Sequence, residues 1–398
     1  MSGLSRIVCQ AAVLLVGVSV LAACNSAPSR AGLEWFPPDA PRLMPPDTIR
    51  LLPSVRIKDG PDFWFTYIPD GFFDSRGRLW VVDMHEAVLY VFHPEGRLLQ
   101  KIGRRGEGPG EFMAPEQVAP GVNDSVYVWD IQLKRLSVFS PEGEFVRSFT
   151  MDYGYELLRG VPEGLLATYL ESHLSLRRKD QSMPQLQLVR LLDYHGRVLK
   201  DTLLAMEEAE FIYYVEGNLH TFYPPPFGRR PFFQVDMAGN IWYGWNEILE
   251  IGRLDWRRQQ EKKIRYAIPR LPVPESFPDS LRRRSPDEWR RITRGKYKGG
   301  KFRFPEYQPA FADLRVSPRG RRVWVRLQQY YGEFLEGELK IWEQWVVLDG
   351  DGQPLALVLL PPEGVLRALS DTHLARVDYV DGEFSILIFE LPEFLHAL

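Results

Sequence analysis

The chain has 398 residues, 45% hydrophobic and 25% charged, a globular composition with material for a large core. A formal net charge of −3 gives no global signal for nucleic acid. The only cysteines are Cys9 and Cys24, which excludes a disulfide framework or a zinc–cysteine site in the folded part.

Residues 1–23 carry a single charge, Arg6, followed by an apolar run from Ile7 to Ala23. A basic start, an apolar stretch and small residues before a cut read as an export signal. Leu21-Ala22-Ala23-Cys24 resembles the lipobox of bacterial lipoproteins. That resemblance implies that Cys24 receives a diacylglycerol and becomes the first mature residue. Acyl chains contribute roughly 0.8 kcal/mol per buried CH₂, so two or three hold a soluble body on a membrane. Residues 24–48 are rich in Ser, Ala and Pro and read as a semi-extended tether.

From residue 49 on, an internal repeat sets the fold. Leu79-Trp-Val-Val-Asp83, Leu89-Tyr-Val-Phe92 and Pro94-Glu-Gly96 are followed by Val126-Tyr-Val-Trp-Asp130, Leu136-Ser-Val-Phe139 and Pro141-Glu-Gly143. Asp83 and Asp130, Phe92 and Phe139, and Gly96 and Gly143 are each 47 residues apart. Short β-rich runs at this period, joined by hairpin turns, indicate propeller blades. Fainter units start at Gly164, Val235, Val316 and Leu366, making six. The last unit supplies three clear strands, and the segment Thr48 to Ile57 is predicted to complete it and close the ring.

Ile102-Gly-Arg-Arg-Gly106-Glu-Gly-Pro-Gly-Glu-Phe112 and Val128-Trp-Asp130 with Lys134-Arg135-Leu136 resemble NHL-repeat signatures, although Val88 stands where that family often has Arg. The resemblance implies an all-β, six-bladed propeller and no single function. It also implies that Asp83 and Asp130 bind backbone amides of their own turns. Residues 267–306 fit no blade and form an insertion between the fourth and fifth. Ser285-Pro286-Asp287-Glu288 predicts a helix start with Ser as cap, and Gly295 ends the helix after Arg294.

Candidate chemistry is sparse. Glycines 103–110 lack the strand–loop–helix context of a phosphate cradle and read as a tight inter-blade turn. The seven histidines show no metal-ligand spacing, and there is no Gly-x-Ser-x-Gly elbow. Six-bladed lactonases hold an axial metal with Glu, Asn and Asp, but Asn is scarce here, so no metal and no cofactor are expected. A calcium-dependent lactonase-like hydrolase remains the competing reading. From Leu281 to Arg303 ten Lys or Arg stand against Asp287 and Glu288. Arg290, Arg291, Arg294, Lys296 and Lys298 form a candidate patch for an anionic partner, and the acidic stretch Glu207 to Glu216 is a candidate to neutralise part of it.

The sequence therefore predicts a monomeric, lipid-anchored propeller of the bacterial cell envelope. It acts as a binding or scaffolding module for a protein or small ligand, rather than as an enzyme or a nucleic-acid binder. Strand order puts the loop after Asp83 and the inter-blade loop on one face. His85, Glu86, Arg105, Glu107 and Gln132 are thus the expected contact surface.

Overall fold

Six antiparallel sheets, each begun by its innermost strand, surround a central axis in the computed structural model, which describes residues 34–151, 155–170, 186–216, 219–297, 301–335 and 338–396. Blade 1 runs Gly71–Phe73, Leu79–Asp83, Val88–Phe92 and Leu98–Ile102 from axis to rim. Blade 2 begins at Pro115–Pro120, blade 3 at Tyr155–Val161, blade 4 at Pro231–Val235, blade 5 at Phe311–Val316 and blade 6 at Val365–Leu369.

The middle strands of blade 1 are buried at every position, because a neighbouring blade covers each sheet face. Alternation along the strand decides which neighbour each side chain meets. Leu79, Val81, Tyr90 and Phe92 pack with Val377, Ile386 and Ile388 of blade 6. Trp80, Val82, Leu89 and Val91 pack with Val118, Val126, Val128 and Phe139 of blade 2. At the rim Leu98–Ile102 is partly exposed, where only one covering layer remains.

The ring closes as expected, with a refinement. The segment 48–57 is two strands, separated by Pro53, and they serve different blades. Val55–Ile57 pairs antiparallel with Glu383–Glu390 and is the fourth strand of blade 6. Thr48–Arg50 lies parallel to Pro354–Leu360 as a fifth strand of blade 5. The Pro-rich stretch is also laid on the body from Trp35 onward. Trp35–Phe36 pairs with Ile268–Pro269, and Leu43 joins the core of blades 4 and 5.

The insertion between blades 4 and 5 holds two helices, α1 (Phe277–Arg284) and α2 (Pro286–Arg294). Helix α2 ends at Gly295, whose N–H donates to the Arg291 carbonyl at 2.9 Å. The Ser285 hydroxyl makes no capping bond, contrary to expectation, because Ser285 also caps the C-terminus of α1, its N–H donating to the Leu281 carbonyl, and its backbone is shared between the helices. A second insertion, the hairpin Ile212–Glu216 and Leu219–Tyr223, lies between blades 3 and 4. Ile292 of α2 packs on Ile212 and Tyr223 of that hairpin, joining the two insertions.

Candidate binding site at the channel mouth

Each inner strand starts at one face of the ring, which we call the upper face. The turns between second and third strands and the loops between blades open there too. Two aspartates fix this face. The Asp130 carboxylate is fully buried and accepts from Met113 N–H (2.6 Å), Ala114 N–H (3.0 Å), Gln132 N–H (3.0 Å) and Leu133 N–H (2.9 Å). Asp83 accepts from Thr66 N–H (2.7 Å), the Thr66 hydroxyl and Glu86 N–H (3.0 Å). Each ties its own turn to the chain leading into its own inner strand, as the repeat implied. In blade 4 the buried Asn246 takes part of this role, accepting from Arg230 N–H at 2.8 Å.

With the inner strands held in place, one charged side chain from each blade meets the channel. Asp70 precedes the inner strand of blade 1, Glu116 and Glu156 lie in those of blades 2 and 3, and Arg230 precedes that of blade 4. Arg315 and Arg367 lie in those of blades 5 and 6. Bonds between adjacent blades knit this ring together. Val118 N–H donates to Asp70 Oδ2 (3.0 Å), Arg230 Nη2 to the Ala312 carbonyl (2.9 Å), and Arg315 Nη2 to the Leu366 carbonyl (3.0 Å). Asp313 adds a carboxylate that pairs with Arg315 at 3.3 Å. In blade order the ring is acid, acid, acid, arginine, arginine, arginine.

The electrostatics follow from enclosure. Burial pushes the Asp70 carboxyl up to about 6, against the pull of the Val118 N–H and of Arg367 and Arg315. Burial also raises Glu116, and the negative charges of Glu156 and Asp70 add to it. Glu156 is raised by burial and held back by the Thr168 hydroxyl, which donates at 3.3 Å, and by Arg230. On the opposite wall burial lowers Arg230 and Arg367. Glu156 and Arg230 are nevertheless open to a water-sized sphere. Protein surrounds them, but the bore between the inner strands admits water. Deeper in blade 3, burial brings Arg159 down to about 10, opposed by Asp236 and Asp124.

Sequence reasoning missed these ring residues. The signal was their position at or just before the first strand of each unit, legible only once all six inner strands are aligned. The five residues expected as a contact surface do lie on the upper face. His85, Arg105, Glu107 and Gln132 are exposed and Glu86 is half-buried. The His85 ring lies 5.5 Å from that of Tyr67, whose hydroxyl acts on Arg367. Arg105 donates to the carbonyls of His85 and Met113, so its guanidinium braces the loop. The Glu107 carbonyl accepts from Arg135 Nη1 at 2.6 Å.

The basic patch divides. Arg290, Arg294 and Lys296 are exposed, and Arg290 pairs with Asp287 at 3.3 Å. Arg291 instead sits over the Tyr223 ring at 5.8 Å. The acidic stretch does meet the insertion: Tyr297 Oη donates to Glu210 Oε1 at 2.7 Å, and the backbones of Tyr213 and Lys296 exchange hydrogen bonds. Lys298 and Cys24 lie outside the described residues. At the lower face a depression between blades 3 and 4 is lined by charges that pair with neighbours, Arg257 with Glu163 at 2.7 Å and Arg258 with Asp255 at 3.2 Å. Among the described residues no group of three or more His, Cys, Asp or Glu is placed to hold a metal. A dication on the axis would also face three guanidinium groups.

The fold and the ring define a class: a six-bladed β-propeller with a charged, water-accessible axial mouth. The DUF5128 family model, described as a 6-bladed beta-propeller, matches residues 71–225. No curated protein matches the chain in sequence. Among solved structures the chain is similar to a Bacteroides fragilis protein described as exported, at 11% identity over 87% of this chain and 99% of that one, with a TM-score of 0.47. It is similar to a DUF4221 member from Bacteroides vulgatus at 9% identity, over 85% of this chain and 97% of that one, with a TM-score of 0.46. Virginiamycin B lyase from Staphylococcus aureus, solved with quinupristin, shows 9% identity over 85% and 99% of the two chains and a TM-score of 0.39. At such identities no ligand or reaction carries over to this chain.

Proposed function

We propose that the chain is an exported, lipid-anchored binding propeller of the bacterial cell envelope, and that its ligand is a small charged molecule seated in the upper mouth of the channel. The observation that carries this reading is the ring of six charged side chains, one per blade, around the bore. Enclosing charges between blades is costly, and a fold that keeps six of them around one bore holds them ready for a partner. Cys24 supplies the anchor in this reading. Only ten residues separate it from Trp35, which is paired at the root of the basic insertion. The eleven Cα-to-Cα steps reach at most about 40 Å. The exposed Arg282, Arg283, Arg284, Arg290 and Arg294 would therefore lie close to a lipid surface and favour anionic headgroups.

Two measurements test the reading. Radiolabelled palmitate should be incorporated into the wild-type chain in a bacterial host and not into Cys24→Ser. Thermal melting of the detergent-solubilised full chain should rise with at least one member of a panel of amines, carboxylates, amino acids and sugar phosphates. The Glu116→Gln/Arg367→Met double variant should lose that response. A response kept in full by the variant would put the ligand elsewhere.

A further inference from the structure

At several places on its surface this protein pairs its charges: Arg257 with Glu163 at 2.7 Å, Lys262 with Asp351 at 2.6 Å, Arg197 with Asp193 at 2.6 Å. Around the bore the arrangement differs. Three carboxylates follow one another on blades 1 to 3, and no arginine of the ring stands between them. Three guanidinium groups follow one another on blades 4 to 6. Opposite charges act on one another where the arcs meet, Asp70 with Arg367 and Glu156 with Arg230, and Asp313 places one carboxylate among the arginines, paired with Arg315. Glu116, in the middle of the acidic arc, makes no ion pair among the described residues. The Nε of Arg367 is buried and has no hydrogen-bond partner among the described residues. Arg315 is already engaged by Asp313 and by the Leu366 carbonyl.

We propose that the bore takes a zwitterion, a molecule with separate ammonium and carboxylate groups such as an amino acid or a short peptide with free termini. The ammonium lies against Glu116, with Asp70 and Glu156 on either side. The carboxylate lies against Arg367, with Arg315 beside it. This rests on the reading of the mouth as a binding site and states what that site selects. A cation alone would relieve one arc and meet the other. Two separate ions would each lose translational freedom, whereas a single molecule carrying both charges loses it once.

The test is titration calorimetry on the detergent-solubilised full chain with alanine, Ala-Ala and tri-alanine, which vary the separation of the charges. Each is compared with its N-acetyl form, which lacks the ammonium, and its C-terminal amide, which lacks the carboxylate. At least one free form should bind, and each of its blocked forms should bind at least about tenfold more weakly. Glu116→Gln should weaken the free form and the amide but leave the N-acetyl form unchanged. Arg367→Met should weaken the free form and the N-acetyl form but leave the amide unchanged. Thermal melts of both variants establish that they are folded. Blocked forms that bind as well as the free ones would overturn the zwitterion and keep the mouth as a site. Failure of all these probes, with a response to a singly charged amine or carboxylate lost in the double variant, would do the same. Failure of every charged probe would overturn both.

Discussion

Blades 1 and 2 differ from blades 4 and 5 in what their residues are occupied with. In the first pair most of the conserved spacing within the chain goes into turns. Asp83 and Asp130 each reach 17 residues back, to Thr66 and Met113, and forward into their own turn. In the second pair the same corner is held more lightly. Asn246 replaces the carboxylate in blade 4, and at the lower corner of blade 5 Ser317 stands where Asp74 of blade 1 and Asp236 of blade 4 bind the indoles of Trp80 and Trp242, each at 2.9 Å. The Trp324 indole N–H is correspondingly left without a partner. What blades 4 and 5 have instead is bulk above the upper face: helices α1 and α2, and the long strands Arg322–Leu335 and Glu338–Asp349. A repeat loses its local signature where neighbouring loops and insertions take over the support of the corner.

The largest test of this contrast is Asp130→Ala. Four N–H donors lose a charged acceptor, and a stability loss of about 3–5 kcal/mol is expected in chemical denaturation. Asn246→Ala removes a neutral acceptor for one N–H, and about 1–2 kcal/mol is expected. Equal losses at the two sites would show that the corner of blade 4 is held as firmly as that of blade 2.

This asymmetry also explains what was legible in the sequence. Turn residues repeat because every blade needs the same bend, so Asp83, Asp130, Gly96 and Gly143 announce the period. Gly96 and Gly143 have φ of 90° and 86°, a conformation that favours glycine. The axial ring does not repeat. Its members are Asp, Glu and Arg at different points along or just before their inner strands, and the difference between them is the site. No motif search sees them, because they meet only through the closure of the ring. The strand over 48–57 was legible as a strand, but its division at Pro53 between two blades depends on packing at the rim. Helix α2 was announced by Pro286 and Gly295. Helix α1 had no comparable stop, since Ser285 ends it while opening the next.

The two insertions bear on the same comparison. If blades 4 and 5 depend on bulk above the upper face, the contact between the insertions carries stability. Ile292 is 2% exposed and packs against Ile212 and Tyr223. Ile292→Ala should cost about 2–4 kcal/mol. Limited proteolysis should then cut within 270–300 before the blades are touched. Protection equal to that of the wild type would mean that the insertion is held by the Tyr213–Lys296 and Glu210–Tyr297 bonds alone.

The smallest effect is the one that reads the channel directly. Asp70 carries its proton to about pH 6 in the folded chain, against an ordinary value of 3.8. Between these values the native state holds a proton that the unfolded chain has released, so stability falls as pH rises through this window. Below about pH 3 both states are protonated, and above about pH 7 both are ionised, so the cost is constant there. Asp70→Asn keeps an acceptor for the Val118 N–H and removes the titration. The full shift would correspond to about 3 kcal/mol, and water in the bore reduces this to roughly 1–2. The melting temperature of Asp70→Asn minus that of the wild type should therefore be near zero at about pH 3, rise between about pH 3 and pH 7, and level off beyond. Carboxylates other than Glu116, which Asp70 helps to raise, titrate alike in both proteins and cancel in the difference. A difference that stays flat across the window would mean that the bore solvates Asp70 as bulk water does, and the acidic arc would then hold no stored repulsion for an ammonium group to relieve.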